Sequence, residues 1–425
     1  MDISVESTAV KKLAEIEGIE EDFIKRGLKN GYIVLPQNVV REDVKICGIG
    51  LGLQTKVNAN IGTSADLIDP VLEKEKAKVA VKSGADTIMD LSSGGPLDEI
   101  RRMILQTVNV PVGTVPVYQA ALEARDRKDA IINMDEDDIF KSIEKHVKDG
   151  VDFITVHCGV TKNIVEEIIK RGRLMGIVSR GGAFHAATII HTGKENPLYK
   201  NYDYLLEICK EYNTTLSLGD GIRPGCLEDA NDPPQVAEML VISELVERAR
   251  KTGVQAMVEG PGHIPLHEVE PIVKMYKATC KNAPLYLLGP LVTDIAAGYD
   301  HIAGGIGGAI AAAAGGDFLC VVTPSEHLGL PGVEEIKEGV IAAKIAAHAA
   351  DIVKLGEKAS NLDKRMSIAR ATLNWETQLM LAPDPEKARK IHENIKSEHD
   401  PDACSMCGPY CAIKLLSEKL TRKKV

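Results

Sequence analysis

Asp152-Phe-Ile-Thr-Val-His157 shows the fold in miniature: an aspartate, an apolar β-branched run, then a polar residue leading into a charged helical stretch. A run this apolar fits a strand covered on both faces, as parallel strands are. The rhythm persists from about residue 53 to about 355. Its other blocks are Thr55–Ile61, Asp86–Leu91, Val110–Val115, Gly176–Ser179, Thr214–Leu218, Gln255–Val258, Leu285–Leu288 and Phe318–Val322. Strands alternating with amphipathic helices predict parallel pairing through crossovers. Eight such units close a (β/α)8 barrel. The blocks number nine, so one lies outside the barrel. Val110–Val115, interrupted by Pro111 and followed by Pro116, is the weakest strand. A doubly wound sheet is the alternative, but no clean glycine fingerprint directly follows a strand, and Gly304-Gly-Ile-Gly-Gly308 reads as a close-packed helix.

Residues 1–52 form a small leading region. Val10 to Leu28 has helical periodicity, Tyr32-Ile-Val-Leu-Pro36 reads as a strand and Gly48-Ile-Gly-Leu-Gly52 as a loop. Residues 53–355 are the barrel and 356–425 a helical tail. In the tail Asp384 caps a helix with Pro385 in its first position, and Ser397 to Ala403 is linker-like. Then comes Cys404-Ser-Met-Cys407-Gly-Pro-Tyr-Cys411. Three thiols spaced C-x2-C-x3-C suit a 4Fe–4S cluster with one iron left open. Zinc is the competing reading, with His399 as a fourth ligand.

The net charge of −10, from 51 basic and 61 acidic residues, sets no basic stripe against nucleic acid. One Trp and five Phe offer few stacking platforms for single strands. No apolar run has membrane-span character, and the first residues lack a signal pattern. The scattered cysteines 47, 158, 209, 226, 280 and 320 then read as small core residues in a reducing cytoplasm.

Residues just past the strand ends of a barrel face one mouth. Here they are Asn58, Asn60, Met89, Asp90, Tyr118, His157, Ser179-Arg-Gly-Gly182, Asp220-Gly-Ile-Arg223, Glu259, His263, Tyr286, Glu326 and His327. So many polar groups at one end of apolar strands predict an enzyme. Ser92-Ser-Gly-Gly-Pro-Leu-Asp98 and Ser179-Arg-Gly-Gly182 can turn backbone N–H groups toward an anion, with Arg180 and Arg223 as clamps; the alternative is a pair of plain strand-to-helix turns. His263 and His327 are candidates for a mononuclear metal site with open positions, or two unrelated histidines. His157 reads as a substrate-bonding residue, and Glu259 as an acid, a base or an imidazole-orienting group. Asp294 and Asp300 are further candidates, equally readable as caps.

These stretches together resemble the ThiC family, the phosphomethylpyrimidine synthases of thiamine biosynthesis. The resemblance rests on Lys56-Val-Asn-Ala-Asn-Ile-Gly62, Gly113-Thr-Val-Pro116, Val178-Ser-Arg-Gly-Gly182, Ser217-Leu-Gly-Asp-Gly-Ile-Arg-Pro-Gly225, Met257-Val-Glu-Gly-Pro-Gly-His263, Leu288-Gly-Pro-Leu-Val-Thr-Asp-Ile-Ala296, Val322-Thr-Pro-Ser-Glu-His-Leu-Gly-Leu-Pro331 and the cysteine segment. It implies a radical S-adenosylmethionine lyase on a (β/α)8 barrel. The implied reaction converts 5-aminoimidazole ribotide to 4-amino-5-hydroxymethyl-2-methylpyrimidine phosphate, with formate, carbon monoxide, 5′-deoxyadenosine and methionine released. By matching position, Asn60, Met89, Tyr118, His157, Ser179, Arg180, Gly181, Asp220, Gly221, Ile222, Arg223, Glu259 and Tyr286 would hold the ribotide, with Glu259 and His157 as the catalytic pair. His263 and His327 would bind Zn2+ or Fe2+, and Cys404, Cys407 and Cys411 the 4Fe–4S cluster. A homodimer and a separate electron donor are implied as well. The chain departs from the family pattern at Ala297, and His185 and Thr188 stand where apolar residues are common. A sister activity on the same ribotide, 5-hydroxybenzimidazole synthesis, is the alternative product. An iron–sulfur electron carrier and a zinc-stapled binding protein are the alternatives of other classes.

Overall fold

The computed structural model describes residues 3–394 and 403–420. Contacts divide the chain into two compact units, Met1–Asp351 and Ile352–Val425. In the first, an antiparallel pair, β1 (Ile33–Val34) and β2 (Ile49–Gly50), precedes eight parallel strands. These are β3 (Lys56–Ile61), β4 (Thr87–Asp90), β5 (Val112–Thr114), β6 (Phe153–Val156), β7 (Thr215–Leu218), β8 (Ala256–Gly260), β9 (Leu285–Leu288) and β10 (Phe318–Cys320). They pair in chain order, and β10 returns to β3 to close the barrel. The expected (β/α)8 architecture is therefore present.

Every residue of β4, β5, β6, β7 and β10 is buried, which is why they read as continuous apolar runs rather than alternating ones. Inside the barrel, Phe153 and Tyr286 both pack on Phe318, with ring centroids 6.4 and 4.2 Å away. Below, three aspartates set the register. Asp86, Asp152 and Asp317 stand just before β4, β6 and β10. Each gives its own N–H to the carbonyl of Val57, Val112 and Leu285 respectively. Each carboxylate then takes that same residue's N–H at 2.8 Å. Asp152 also accepts from Asn38 N at 3.0 Å and from Arg41, so the leading region is tied to the barrel floor.

Val110–Val115, expected to be the weakest strand, is β5. Pro111 precedes the strand and Pro116 opens the helix Pro116–Lys128, so neither removes a ladder donor. Gly113 is required there, because a Cβ would stand 2.2 Å from the Phe153 ring. The ninth block, Gly176–Ser179, forms no strand. β6 pairs directly with β7, and Ser179 instead caps the helix Arg180–Thr192 by accepting from Gly182 N at 3.2 Å. The leading helix is two helices, Ile3–Glu17 and Glu21–Lys29, broken at Gly18 with φ +57°. Gly48–Gly52 contributes strand β2 rather than loop alone. Gly304–Gly308 lies in the helix Asp300–Ala313, where a Cβ at Gly307 would meet the Pro290 carbonyl oxygen at 2.0 Å. The close-packed reading of that segment holds.

The second unit holds the helices Glu357–Ala371, Trp375–Leu381 and Pro385–Asn394, with Trp375 stacked on His392 at 4.2 Å. Asp384 accepts from Lys387 N at 3.0 Å, the cap its position predicts. His399 and the linker residues 397–402 lie outside the described residues. Among the described residues no helix is long and apolar enough to cross a membrane.

Removing a buried carboxylate that serves three donors leaves an uncompensated guanidinium and two orphaned amides. Asp152→Ala is expected to cost about 3–5 kcal/mol, read as a lower urea midpoint. An unchanged midpoint would remove the register role assigned to this residue.

Candidate active site

The strand ends build the site in two layers. Asn58, on β3, accepts from Thr87 Oγ1 at 2.7 Å, donates to the Tyr286 hydroxyl at 2.7 Å and to Asn60 Oδ1 at 2.8 Å. Asn60 in turn donates to Cys320 Sγ at 3.0 Å. This polar layer spans β3, β4, β9 and β10. On the opposite arc, Glu259 at the end of β8 accepts from Thr155 Oγ1 at 2.8 Å and Ser217 Oγ at 2.7 Å. Thr155 and Ser217 were not singled out in the sequence; their signal is a hydroxyl inside a buried strand, Ser217 on β7 beside the strand that carries Glu259 and Thr155 on β6 one strand further round.

A cavity opens above these layers. Of the residues expected to form the site, Asn60, Met89, Tyr118, His157, Asp220, Arg223, Glu259 and Tyr286 line it, joined by Thr155 and Cys320. It shares Asn60, Tyr118 and Arg223 with a wider outer recess that also takes in Arg180, His263, Glu326 and His327. Arg180 lies over the Tyr118 ring at 5.0 Å and donates to Ser93 Oγ at 3.3 Å. Ser179, Gly181, Gly221 and Ile222 sit behind the wall and shape it. A Cβ on Gly181 would stand 2.2 Å from the His157 ring, and one on Gly182 would stand 2.2 Å from the Gly221 oxygen. The helix Arg180–Thr192 therefore reaches the cavity only because two glycines open it. Phe184 on that helix meets Tyr118 edge-on at 6.0 Å, and His185 lies 6.4 Å from His157. Thr188 turns its hydroxyl back to the Phe184 carbonyl at 3.0 Å.

Burial governs the charge states. It holds His157 well below the usual histidine range, with His185 and Arg223 adding to the effect, so the imidazole is neutral. His185 falls to about 4 for the same reason. Cys320 is pushed up to about 12 and is a thiol. Burial lifts Asp220 well above the usual carboxylate range, although Arg223 donates to it at 3.0 Å and pulls the other way. The second carboxyl oxygen of Asp220 has no hydrogen-bond partner in the protein.

In the outer recess the two expected metal-site histidines are together, with ring centroids 5.3 Å apart. His263 Nδ1 bonds Asp294 Oδ1 at 2.7 Å, and His327 Nδ1 lies 3.2 Å from Asp300 Oδ1. Asp294 and Asp300 thus orient imidazoles. A ring that gives Nδ1–H to a carboxylate presents the Nε2 lone pair, the arrangement metal-binding histidines use. Burial also holds His263 below its usual value, against the pull of Asp294.

In the second unit, the cysteine segment folds as one turn. Cys407 N and Gly408 N both donate to the Cys404 carbonyl, at 3.3 and 2.9 Å, and Cys411 N donates to Gly408 at 3.3 Å. All three thiols are free; Cys407 is exposed and Cys411 buried. Among the described residues no three His, Cys, Asp or Glu side chains converge closely enough to hold a metal ion, so the thiols share the turn without meeting at a point. The other six cysteines are buried and unpaired, as expected of core residues.

The sequence model of the radical SAM ThiC family matches residues 3–418. The chain is 56% identical over 411 residues to the phosphomethylpyrimidine synthase of Dehalococcoides mccartyi strain BAV1, covering 97% of this chain and 95% of that protein. It is 57% identical over 415 residues to the protein of the same name from Archaeoglobus fulgidus, covering 97% and 96%. The Pyrococcus abyssi protein of that name is 57% identical over 412 residues, covering 97% and 95%. With the match running through both the barrel and the cysteine turn, the chain belongs to the radical SAM ThiC family.

Proposed function

We propose that this protein is a phosphomethylpyrimidine synthase. It takes 5-aminoimidazole ribotide and S-adenosylmethionine to 4-amino-5-hydroxymethyl-2-methylpyrimidine phosphate, with formate, carbon monoxide, 5′-deoxyadenosine and methionine released. The observation that carries this reading is the cavity at the barrel mouth, polar at its floor and flanked by Arg180 and Arg223, in a chain of this family. An anionic ribotide suits the two guanidiniums at the cavity and its recess. Asn60, Tyr118, His157, Asp220, Glu259 and Tyr286 are the groups for its imidazole and ribose, with Met89 as an apolar wall. The neutral imidazole of His157 can hold or pass one proton at its free nitrogen. Glu259, steadied by two hydroxyls, is the carboxyl placed for the same work. Water exclusion falls to the buried walls, where each electrostatic contact counts for more than in solvent.

The donor set of the cysteine turn fits an iron–sulfur cluster: three unpaired thiols on one loop, none tied in a disulfide. Cys404, Cys407 and Cys411 would hold a 4Fe–4S cluster, which would supply the one-electron chemistry that cleaves S-adenosylmethionine. The oriented imidazoles of His263 and His327 fit a zinc-type ion, Zn2+ or Fe2+, with positions left for other ligands. A one-electron reductant and a homodimer complete the proposal.

Anaerobic incubation with the ribotide, S-adenosylmethionine and dithionite is expected to yield the pyrimidine phosphate. 5-Hydroxybenzimidazole in its place would overturn the product assignment. Cys407→Ala is expected to abolish 5′-deoxyadenosine formation while thermal unfolding of the barrel stays put; loss of the fold would instead indicate a structural metal.

Asp294→Ala frees the His263 ring and should weaken Zn2+ binding roughly 10–100-fold, measured by competition with a chromophoric chelator. Unaltered affinity would remove the metal role from this pair.

A further inference from the structure

One buried carboxyl has no part in the chemistry above. Glu238, 1% exposed, lies on the helix Pro233–Thr252, beneath the loop that follows β7. Its Oε2 accepts the N–H of Ile222 at 2.9 Å, and the adjoining Gly221 backbone also favours the charged carboxyl. Its Oε1 is buried and has no hydrogen-bond partner. A Cβ on Gly221 would stand 3.2 Å from Oε1, and one on Gly159 would stand 2.8 Å from Glu238 Cγ. Both the β6 and the β7 loops therefore settle onto this side chain through glycine.

Among the described residues Glu238 has no ion-pair partner. Arg173 and Arg223 attract it, but Arg173 lies 2.8 Å from Asp232 and Arg223 bonds Asp220 at 3.0 Å. The other titratable groups facing it are Asp220 in the loop and Tyr276 on the helix Val269–Thr279. Without a counter-charge, burial lifts the carboxyl to about 8, so at neutral pH it is largely protonated and Oε2 acts as a carbonyl acceptor. A leucine would fill the same space without burying an unpartnered oxygen. What the carboxyl adds is a hold on the loop backbone. With the Gly221 and Ile222 amides drawn toward the helix, the flanking Asp220 and Arg223 side chains line the cavity.

We propose that Glu238 is a positioning residue for the substrate cavity: by latching the Gly221–Ile222 backbone it sets where Asp220 and Arg223 meet the ligand. This rests on the cavity being the ribotide site. Ionisation strengthens the backbone hydrogen bond, which favours the charged carboxylate, but it also places negative charge beside Asp220 and draws Arg223 away from the ligand. Ribotide affinity should therefore decline as pH rises through about 8. The stability consequence has the same sign. The folded carboxyl titrates above the ordinary glutamate value of 4.5, so its contribution is fully present below that value and is lost as pH climbs toward about 8. Glu238→Gln should accordingly gain heat stability over wild type across that window, and match it at the acid end.

Two readouts on the full chain test the latch: hydrogen–deuterium exchange over Gly219–Arg223 without ligand, and equilibrium binding of 5-aminoimidazole ribotide. Glu238→Leu is expected to speed exchange of the Gly221 and Ile222 amides and to weaken ribotide binding, each by about tenfold. Glu238→Gln keeps an oxygen in place and should restore both to within about threefold, while abolishing the alkaline decline. Wild-type exchange and affinity in the leucine variant would overturn the proposal. So would faster exchange with unchanged affinity, or a glutamine variant as impaired as the leucine one. If Glu238→Leu does not fold, persistence of the alkaline decline in Glu238→Gln overturns it and loss of the decline supports it. Failure of wild type to bind the ribotide sinks the substrate reading instead, and the exchange comparison still decides whether the latch exists.

Discussion

Strand register is the constraint on which this site depends. A parallel strand slipped by one residue turns its inward side chains outward, and short strands have little pairing of their own to resist a slip. Asp86, Asp152 and Asp317 resist it from below. Each exchanges two hydrogen bonds with one residue of the preceding strand, so β4, β6 and β10 are pinned to β3, β5 and β9. That pinning decides which residues surface at the other end. Asn60 meets Cys320, and Thr155 and Ser217 converge on Glu259, because the registers allow no alternative partner.

Tyr286 connects the two levels. Its ring stacks on Phe318 in the packed lower barrel, and its hydroxyl accepts from Asn58 in the polar layer. The cavity floor is therefore continuous with the packed, buried barrel interior. Such a floor makes ionisation expensive, and the cavity responds by holding neutral groups: an imidazole at His157, a thiol at Cys320, phenols at Tyr118 and Tyr286. Fixed positive charge is left to Arg223 and, nearer the opening, to Arg180. A ligand that enters with its anionic end toward these guanidiniums meets hydrogen-bonding groups for the rest of its length.

Most of this was legible in the sequence where burial alone dictated it. The fully buried strands announced themselves as apolar runs, and the residues after them supplied most of the cavity wall. The misreadings have local physical causes. Pro111 and Pro116 weaken β5 as a sequence pattern, yet the first precedes the strand and the second opens the next helix. Ile177 and Val178 make Gly176–Ser179 look like a strand, but β6 and β7 leave no gap for one and Ser179 is wanted as a helix cap. Contacts across strands stayed hidden. Thr155 and Ser217 matter through Glu259 on another strand, and Asp294 could be told from a helix cap only once His263 was seen beside it. The cysteine spacing was plain, but the convergence of its thiols is not a property that spacing can convey.

The outer recess follows from the same economy of backbone. His263 and His327 come from loops after different strands, and neither would face the other without a carboxylate behind it. Asp294 and Asp300 do this at opposite costs in solvation: Asp294 is partly exposed and also takes the Leu227 amide, whereas Asp300 is buried at the start of its helix. An imidazole pair fixed from behind presents two lone pairs in front. Because the recess shares Asn60, Tyr118 and Arg223 with the cavity, whatever those lone pairs hold stands at the edge of the ligand's own surroundings. The cavity and the recess therefore meet at three common side chains, and a small molecule seated against those three is within reach of both.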